Sequence, residues 1–315
     1  MRSKYDVDLL AGACKAGLDV EIIDRILHEY QWPCDKHPLH KAAANGHLET
    51  VTFLLEKSTI DPEDRDDDWN TPFMYACCNS HIDIMKYLMD SDRVAIHAPD
   101  EFGKTPFMHA CFGGYMDVVR FFVDLGEAEL NYYEDDYGRK ALMHACYGGH
   151  VDVCTVNIED WDDDGTTPFM YACREGHLDV VKYLLDTQQC NVHKKNLVGK
   201  TGFMLACLRG RLEVVKCLVE TVEIDMNQTD CEGRTGLMLA CLDGHIDVVK
   251  YLVDTVEVDL KIKDESGNTA CKIAALGRFA KLANLLAEAA HTVLDDETAL
   301  MMLDPEMREY YESLL

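Results

Sequence analysis

The sequence predicts an all-α (α-rich) repeat solenoid, and three observations carry that expectation. First, one phrase returns seven times. TPFMYAC stands at Thr71–Cys77, TPFMHAC at Thr105–Cys111 and KALMHAC at Lys140–Cys146. TPFMYAC returns at Thr167–Cys173, then TGFMLAC at Thr201–Cys207 and TGLMLAC at Thr235–Cys241, with a looser HPLHKAA ahead of them all at His37–Ala43. Second, the small residue at the sixth place falls at Ala13, Ala42, Ala76, Ala110, Ala145, Ala172, Ala206, Ala240 and Ala274, at intervals of 29, 34, 34, 35, 27, 34, 34 and 34 residues. Third, an apolar stretch recurs between phrases, as in GHLETVTFLLE at Gly46–Glu56, GHLDVVKYLLD at Gly176–Asp186 and GHIDVVKYLVD at Gly244–Asp254. A fixed period of this size marks a repeat architecture, in which each unit buries its apolar face only against its neighbours.

Each unit reads as two short helices. In Thr105-Pro106 the threonine oxygen can cap a free amide, and proline at the first helical position loses nothing. Ala110 is small enough for a neighbouring helix to approach closely, and Gly113-Gly114 ends the first helix. The second helix is clearest at Asp179–Asp186. There Val180, Val181, Leu184 and Leu185 form a stripe at helical spacing while Lys182 faces water. Gly199 marks the turn that follows, a place that favours positive φ. Neither helix is long enough to hold by itself, so stability comes from stacking. Two departures carry expectations of their own. Trp69 stands at the turn-glycine place, which predicts a distorted hairpin. Gly202 and Gly236 replace the helix-start proline, which predicts slightly looser starts.

The period of about 33, the Thr-Pro start, the small sixth residue, the Gly-His before the second helix and the Asp-x-x-Gly-x-Thr between units together resemble the ankyrin repeat family. The resemblance covers nearly the whole chain. It implies a β-hairpin-like loop and two antiparallel helices per unit, stacked into a curved solenoid, and a binding module without catalysis. The chain departs from the family at the fourth place of the phrase, usually histidine. Only His40 keeps it, and Met74, Met108, Met143, Met170, Met204 and Met238 replace it, which reads as pliable core packing.

The resemblance also implies where a partner sits: on a concave face built from the hairpin tips and the exposed side of the first helices. Mapped onto this chain, that face includes Trp69, Phe102, Phe112, Tyr137, Arg139, Tyr147, Arg174, Leu208 and Arg209. The aromatics Phe102, Phe112, Tyr137 and Tyr147 concentrate in two adjacent units, with Trp69 extending the row. Large aromatics at solvent-facing places are typical binding anchors; the alternative is that Phe112 and Tyr147 pack between stacked helices. Asn227, in EIDMNQTD, resembles the asparagine that intracellular dioxygenases hydroxylate in many ankyrin proteins, against the plainer reading of a turn-stabilising asparagine.

The pattern divides the chain into a divergent N-terminal capping repeat at 1–36, a repeat array at 37–290 and an acidic C-terminal capping tail at 291–315. The interval from Ala145 to Ala172 is seven residues short of its neighbours. Seven helical residues span about 10 Å, so the second helix near 149–165 is expected to be a stub around Val151–Val156 or missing. That predicts a weak point, either a hinge or a tolerated deletion. The tail reads as a cap or as a docking peptide for a second partner.

Formal net charge is −27, and acids gather where units join: Asp61–Asp68, Glu134–Asp136, Glu159–Asp164 and Asp264–Glu265. They serve solubility or recruit a basic partner surface. Phosphate binding needs clustered lysine and arginine, so nucleic acid is not an expected ligand. No stretch approaches the length of a membrane span. The cysteines, fourteen in all, read as small buried apolar residues in a reducing compartment, because packed helices hold Cys77, Cys111, Cys146 and their equivalents too far apart for disulfides. The expected location is cytoplasmic, with the nucleus open.

No catalytic, cofactor or metal site emerges. His109 with Cys111 and His144 with Cys146 invite a metal, but residues two apart on a helix diverge and tetrahedral zinc needs four convergent ligands. The Gly-His histidines read as structural, and no glycine-rich phosphate loop is present. The expected function is therefore a non-catalytic scaffold or adaptor, monomeric, binding a protein with a basic or apolar-basic segment. The alternative is an inhibitor that masks a basic surface of an enzyme or nucleic-acid-binding protein.

Overall fold

The structure, a computed structural model, describes residues 7–30, 37–57, 60–90, 94–125, 133–153, 160–187, 190–255 and 258–289. The expectations for 291–315, and for the part of the shortened repeat at 154–159, lie outside the described residues. The chain divides into two compact units, Met1–Val156 and Asn157–Leu315.

Unit 1 contains α1 (Val7–Ala16), α2 (Val20–Tyr30), α3 (Pro38–Ala44), α4 (Leu48–Lys57), α5 (Pro72–Cys77), α6 (Ile82–Met89), α7 (Pro106–Gly113), α8 (Met116–Asp124), α9 (Ala141–Gly148) and a 3₁₀ turn at Val151–Val153. The odd-numbered helices pack on one another in sequence and the even-numbered ones do the same, giving two layers. In unit 2, α10 (Pro168–Glu175), α12 (Gly202–Leu208), α14 (Gly236–Leu242) and α16 (Ala270–Leu276) form one layer. The other holds α11 (Leu178–Asp186), α13 (Leu212–Thr221), α15 (Ile246–Thr255) and α17 (Ala280–Ala289). Among the described residues no strand forms, so the hairpin-like loops are turns. The all-α repeat solenoid expected from the period is the observed fold.

The phrase works as the sequence reading expects. Thr71, Thr105, Thr167, Thr201 and Thr235 each accept a bond at 3.3 Å from the amide of the fourth-place methionine. Such caps are worth about 1 kcal/mol each. The methionines, the sixth-place alanines and the seventh-place cysteines are buried. In α11, Val180, Val181 and Leu184 are buried, Leu185 is half-buried and Lys182 is exposed. The histidines ahead of the second helices, two that follow a glycine and His81 that follows Ser80, reach back to the preceding unit: His47 donates to the Lys15 carbonyl at 3.0 Å, His81 to Ala44 at 3.2 Å and His245 to Leu208 at 3.0 Å. Arg211 takes the same role, its Nε donating to the Arg174 carbonyl at 3.1 Å.

Gly202 and Gly236 do more than loosen a helix start. A Cβ at Gly202 would stand 2.8 Å from the Phe169 ring and 3.1 Å from the Cys173 sulfur, and one at Gly236 would stand 2.6 Å from the Phe203 ring. Glycine there lets the phenylalanine of the preceding unit close onto the helix start. Both starts also keep their threonine caps.

Candidate partner-binding surface

Most tips are built around one aspartate, and Asn196 takes that place in the tip of Leu197 and Val198. Asp100 sits at the start of its turn and accepts through one oxygen from the amides of Phe102 at 2.9 Å and Lys104 at 2.8 Å. Asp135 does so for Tyr137 and Arg139, Asp162 for Asp164 and Thr166, and Asp230 for Glu232 and Arg234. A carboxylate that accepts two amides fixes the tip's shape and lifts the next side chains into solvent. Neighbouring tips are then tied by backbone bonds: Glu101 N–H to the Asp68 carbonyl at 3.1 Å and Asp136 N–H to Phe102 at 3.0 Å in unit 1; Leu197 N–H to Asp164 at 2.8 Å and Cys231 N–H to Val198 at 3.1 Å in unit 2.

The second oxygen of Asp66, Asp100, Asp135 and Asp162 meets the fifth residue of the phrase, a pairing the sequence reading missed. Tyr75 donates to Asp66 at 2.7 Å, His109 to Asp100 at 2.9 Å, His144 to Asp135 at 3.1 Å and Tyr171 to Asp162 at 2.6 Å. The signal was a polar residue at one place of an otherwise apolar phrase, always nine residues after the aspartate. Much of the acid at the junctions is therefore committed to the frame. At the junctions of unit 1, Asp61, Asp67, Asp68, Glu101, Glu134 and Asp136 remain exposed.

The two histidines differ in charge. Burial opposes protonation of His109, but the Asp100 carboxylate and the Cys78 thiol outweigh it and raise His109 to about 9. Burial also lowers His144; Asp135 pulls the other way, while Arg139 and Lys104 add to the lowering, and the net shift is below the ordinary histidine value. Against the cost of burial, the bonds from His144, Arg139 and Tyr137 bring Asp135 down to about 2.

The expected distortion at Trp69 does not occur. Trp69 takes φ 64, the left-handed conformation that glycine holds at the other tips. Its turn closes in the same way, with Trp69 N–H to the Asp66 carbonyl at 3.0 Å and Asp66 N–H to Asn70 at 3.1 Å. Arg65 braces it by donating to the carbonyls of Trp69 at 3.3 Å and Pro99 at 2.7 Å. These bonds hold an L-residue where it costs about 1–2 kcal/mol.

Trp69, Phe102, Phe112 and Tyr137 are 58, 46, 45 and 56% exposed. Phe112 and half-buried Tyr147 lie side by side with ring centroids 5.7 Å apart, on α7 and α9. Cations attend the row: Arg65 at 5.6 Å from the Trp69 ring, Lys104 at 6.0 Å from both Phe102 and Phe112, and Arg139 at 4.6 Å from Tyr137. Partial desolvation and the neighbouring Asp68 carboxylate push Glu101 above the ordinary glutamate value. The remaining expected residues lie in unit 2. Arg174 covers the Tyr171 ring at 4.7 Å and pairs with Glu175 at 2.8 Å. Leu208 is half-buried and Arg209 exposed. Asn227 accepts from the Asp259 amide at 2.9 Å, which links two loops of adjacent repeats. Unit 2 has apolar side chains of its own at the tips, Leu197 at 73% and Val198 at 51% exposure.

A family model described as ankyrin repeats (3 copies) matches residues 10–97, 92–156, 154–230 and 203–296. A comparison with curated proteins gave no match. No helix among the described residues is long and apolar enough to cross a membrane.

Proposed function

The chain belongs to the ankyrin repeat family, and on that premise we propose that it is a non-catalytic scaffold or adaptor whose unit 1 tips take up a partner segment. Ankyrin repeats generally mediate protein–protein interaction. The observation that carries the reading is Trp69: a large aromatic, 58% exposed, held at positive φ where glycine would serve the fold at lower cost. Strain retained at an exposed position points to a use outside the fold. Trp69, Phe102 and Tyr137 supply apolar anchors, and Asp67, Asp68, Glu101 and Asp136 stand beside them on the same tips. The segment that fits carries bulky apolar side chains next to lysine or arginine. The protein acts in this reading as a cytoplasmic monomer.

Selection of a displayed random-peptide library on the full chain tests this. The expected result is enrichment of peptides that combine aromatic or aliphatic residues with basic ones, and loss of their binding in a Phe102→Ala, Tyr137→Ala double variant that folds normally. Undiminished binding by that variant refutes the reading. The exposed acids also favour a second reading, a subunit that masks a basic surface. Affinity for the selected peptides that falls steeply with salt supports masking, whereas apolar anchoring is nearly salt-independent.

A further inference from the structure

The looser phrase at His37–Ala43 differs from the others in chemistry as well as spelling. Where five phrases begin with a capping threonine, this one begins with His37, whose side chain makes no cap bond and whose φ is 49. Instead, His37 Nδ1 lies 3.0 Å from Asp64 Oδ2, in the segment leading to the next tip. Where the other phrases bury a methionine, this one buries His40, at 1% exposure. Its Nε2 lies 3.0 Å from the Asn70 carbonyl. A carbonyl only accepts, so Nε2 carries the hydrogen and the neutral ring keeps its lone pair at Nδ1. That Nδ1 is buried and has no hydrogen-bond partner. The rings of His37 and His40 lie 4.7 Å apart between centroids, and His37, His40 and Asp64 each bring a ligand atom within 4.8 Å of the other two.

We propose that His37, His40 and Asp64 bind a divalent cation of the zinc class. Two imidazoles and one carboxylate form a donor set suited to zinc, with a fourth position left for water or another ligand. A histidine that binds a metal through one nitrogen usually donates the other N–H to a carbonyl or carboxylate, which fixes its tautomer and orientation; His40 already has that arrangement. With metal–ligand bonds of about 2.1 Å, ligand atoms of a tetrahedral site stand roughly 3.4 Å apart. The His37–Asp64 pair is at that scale, and the widest separation must close by about 1 Å or more. Asp64 is half-exposed and His37 sits at a helix cap, so both have room to move toward the fixed His40. A bound ion would supply the partner that His40 Nδ1 lacks, and it would clamp α3 to the segment that carries Arg65 and Trp69.

The test uses the full chain, stripped with a chelator and titrated with cobalt(II), then zinc(II) in competition. One equivalent of cobalt is expected to give the visible bands of a tetrahedral nitrogen–oxygen site, and zinc is expected to displace it and raise the unfolding temperature. His37→Thr restores the residue that five other phrases use and is expected to fold. Partners in the outer shell of a metal site alone are worth about 10–100-fold in affinity, so loss of a ligand in His37→Thr or Asp64→Asn should weaken binding by about 100-fold or more. Three outcomes overturn the proposal: no one-equivalent binding by folded protein, unchanged affinity in both variants, or a sulfur-to-cobalt charge-transfer band showing that the cysteines hold the ion.

Discussion

Unit 1 and unit 2 close the same turn with different side chains. In unit 1 the turn aspartates Asp66, Asp100 and Asp135 each meet a donor from the phrase: Tyr75, His109 and His144. In unit 2 Asp162 does so through Tyr171, but Leu239 offers Asp230 no donor at that place, and the turn ahead of Leu205 carries Asn196 in place of an aspartate. Asp230 is served instead by Arg234 at 3.1 Å and by Lys200 of the preceding tip at 3.3 Å. The tips differ in parallel, aromatic at Trp69, Phe102 and Tyr137 and aliphatic at Leu197 and Val198. The difference teaches that the frame requires a side-chain oxygen that accepts turn amides, which even Asn196 supplies, and that where this is an aspartate its second oxygen takes whatever donor is in reach. A short buried ring donor is confined to its acceptor, whereas a long cation can swing its head group to water.

That contrast sets the largest expected effect. Asp135 has no side-chain exposure and His144 only 4%, so Asp135→Ala strands a buried donor, Arg139 and two amides. Breaking a buried charged pair costs about 3–5 kcal/mol, and denaturant unfolding should show a loss of that size. Asp230→Ala removes an equally buried carboxylate, but Lys200 and Arg234 can rehydrate. Its cost is expected at about 1–3 kcal/mol. Equal losses would break the comparison.

The layout of the frame was legible in the sequence because period, caps and glycines are local signals that agree with one another. Methionine and cysteine burial followed from their register alone. The pairing of Asp100 with His109 was not legible, because the partners belong to different pieces of the pattern, turn and helix, and meet only once both have formed. Trp69 was misread for a related reason. A preference against positive φ is an average over turns, and the bonds of the Asp66 turn with the Arg65 brace override it. Gly202 and Gly236 were read only for the helix start, because their second purpose lies in rings of the preceding unit. The aromatic row was legible by place, but the cations set against each ring were not, since Lys104 reaches Phe112 on another element.

A smaller effect separates two histidines at one place of the phrase. The folded value of His109, about 9, lies above the ordinary 6.5. Its contribution is fully present below pH 6.5 and is lost as pH rises through about 9. His144 is shifted down, so its contribution is present above 6.5 and lost as pH falls. His109→Leu, which borrows the residue unit 2 uses, should cost about 1–3 kcal/mol at pH 6 and progressively less toward pH 9. His144→Leu should show the opposite slope. NMR titration of the two rings checks the premise directly, and parallel slopes for the two variants would contradict it.

The smallest change in stability is expected at the residue with the largest expected role in binding. Trp69→Gly relieves about 1–2 kcal/mol of left-handed strain. It gives back about 0.4–1 kcal/mol through the freer unfolded chain and about 0.5–1 kcal/mol through the lost Arg65 contact. These terms nearly cancel, so unfolding should move by less than about 1 kcal/mol. The turn itself is retained, because Asp66, Asn70 and Arg65 make its bonds without the indole. Selected peptides should nevertheless lose affinity for this variant. A folded protein of unchanged stability that no longer binds would divide surface from frame at a single residue. A loss of more than about 2 kcal/mol with binding intact would instead place the indole in the frame, and the aromatic row would lose its first member.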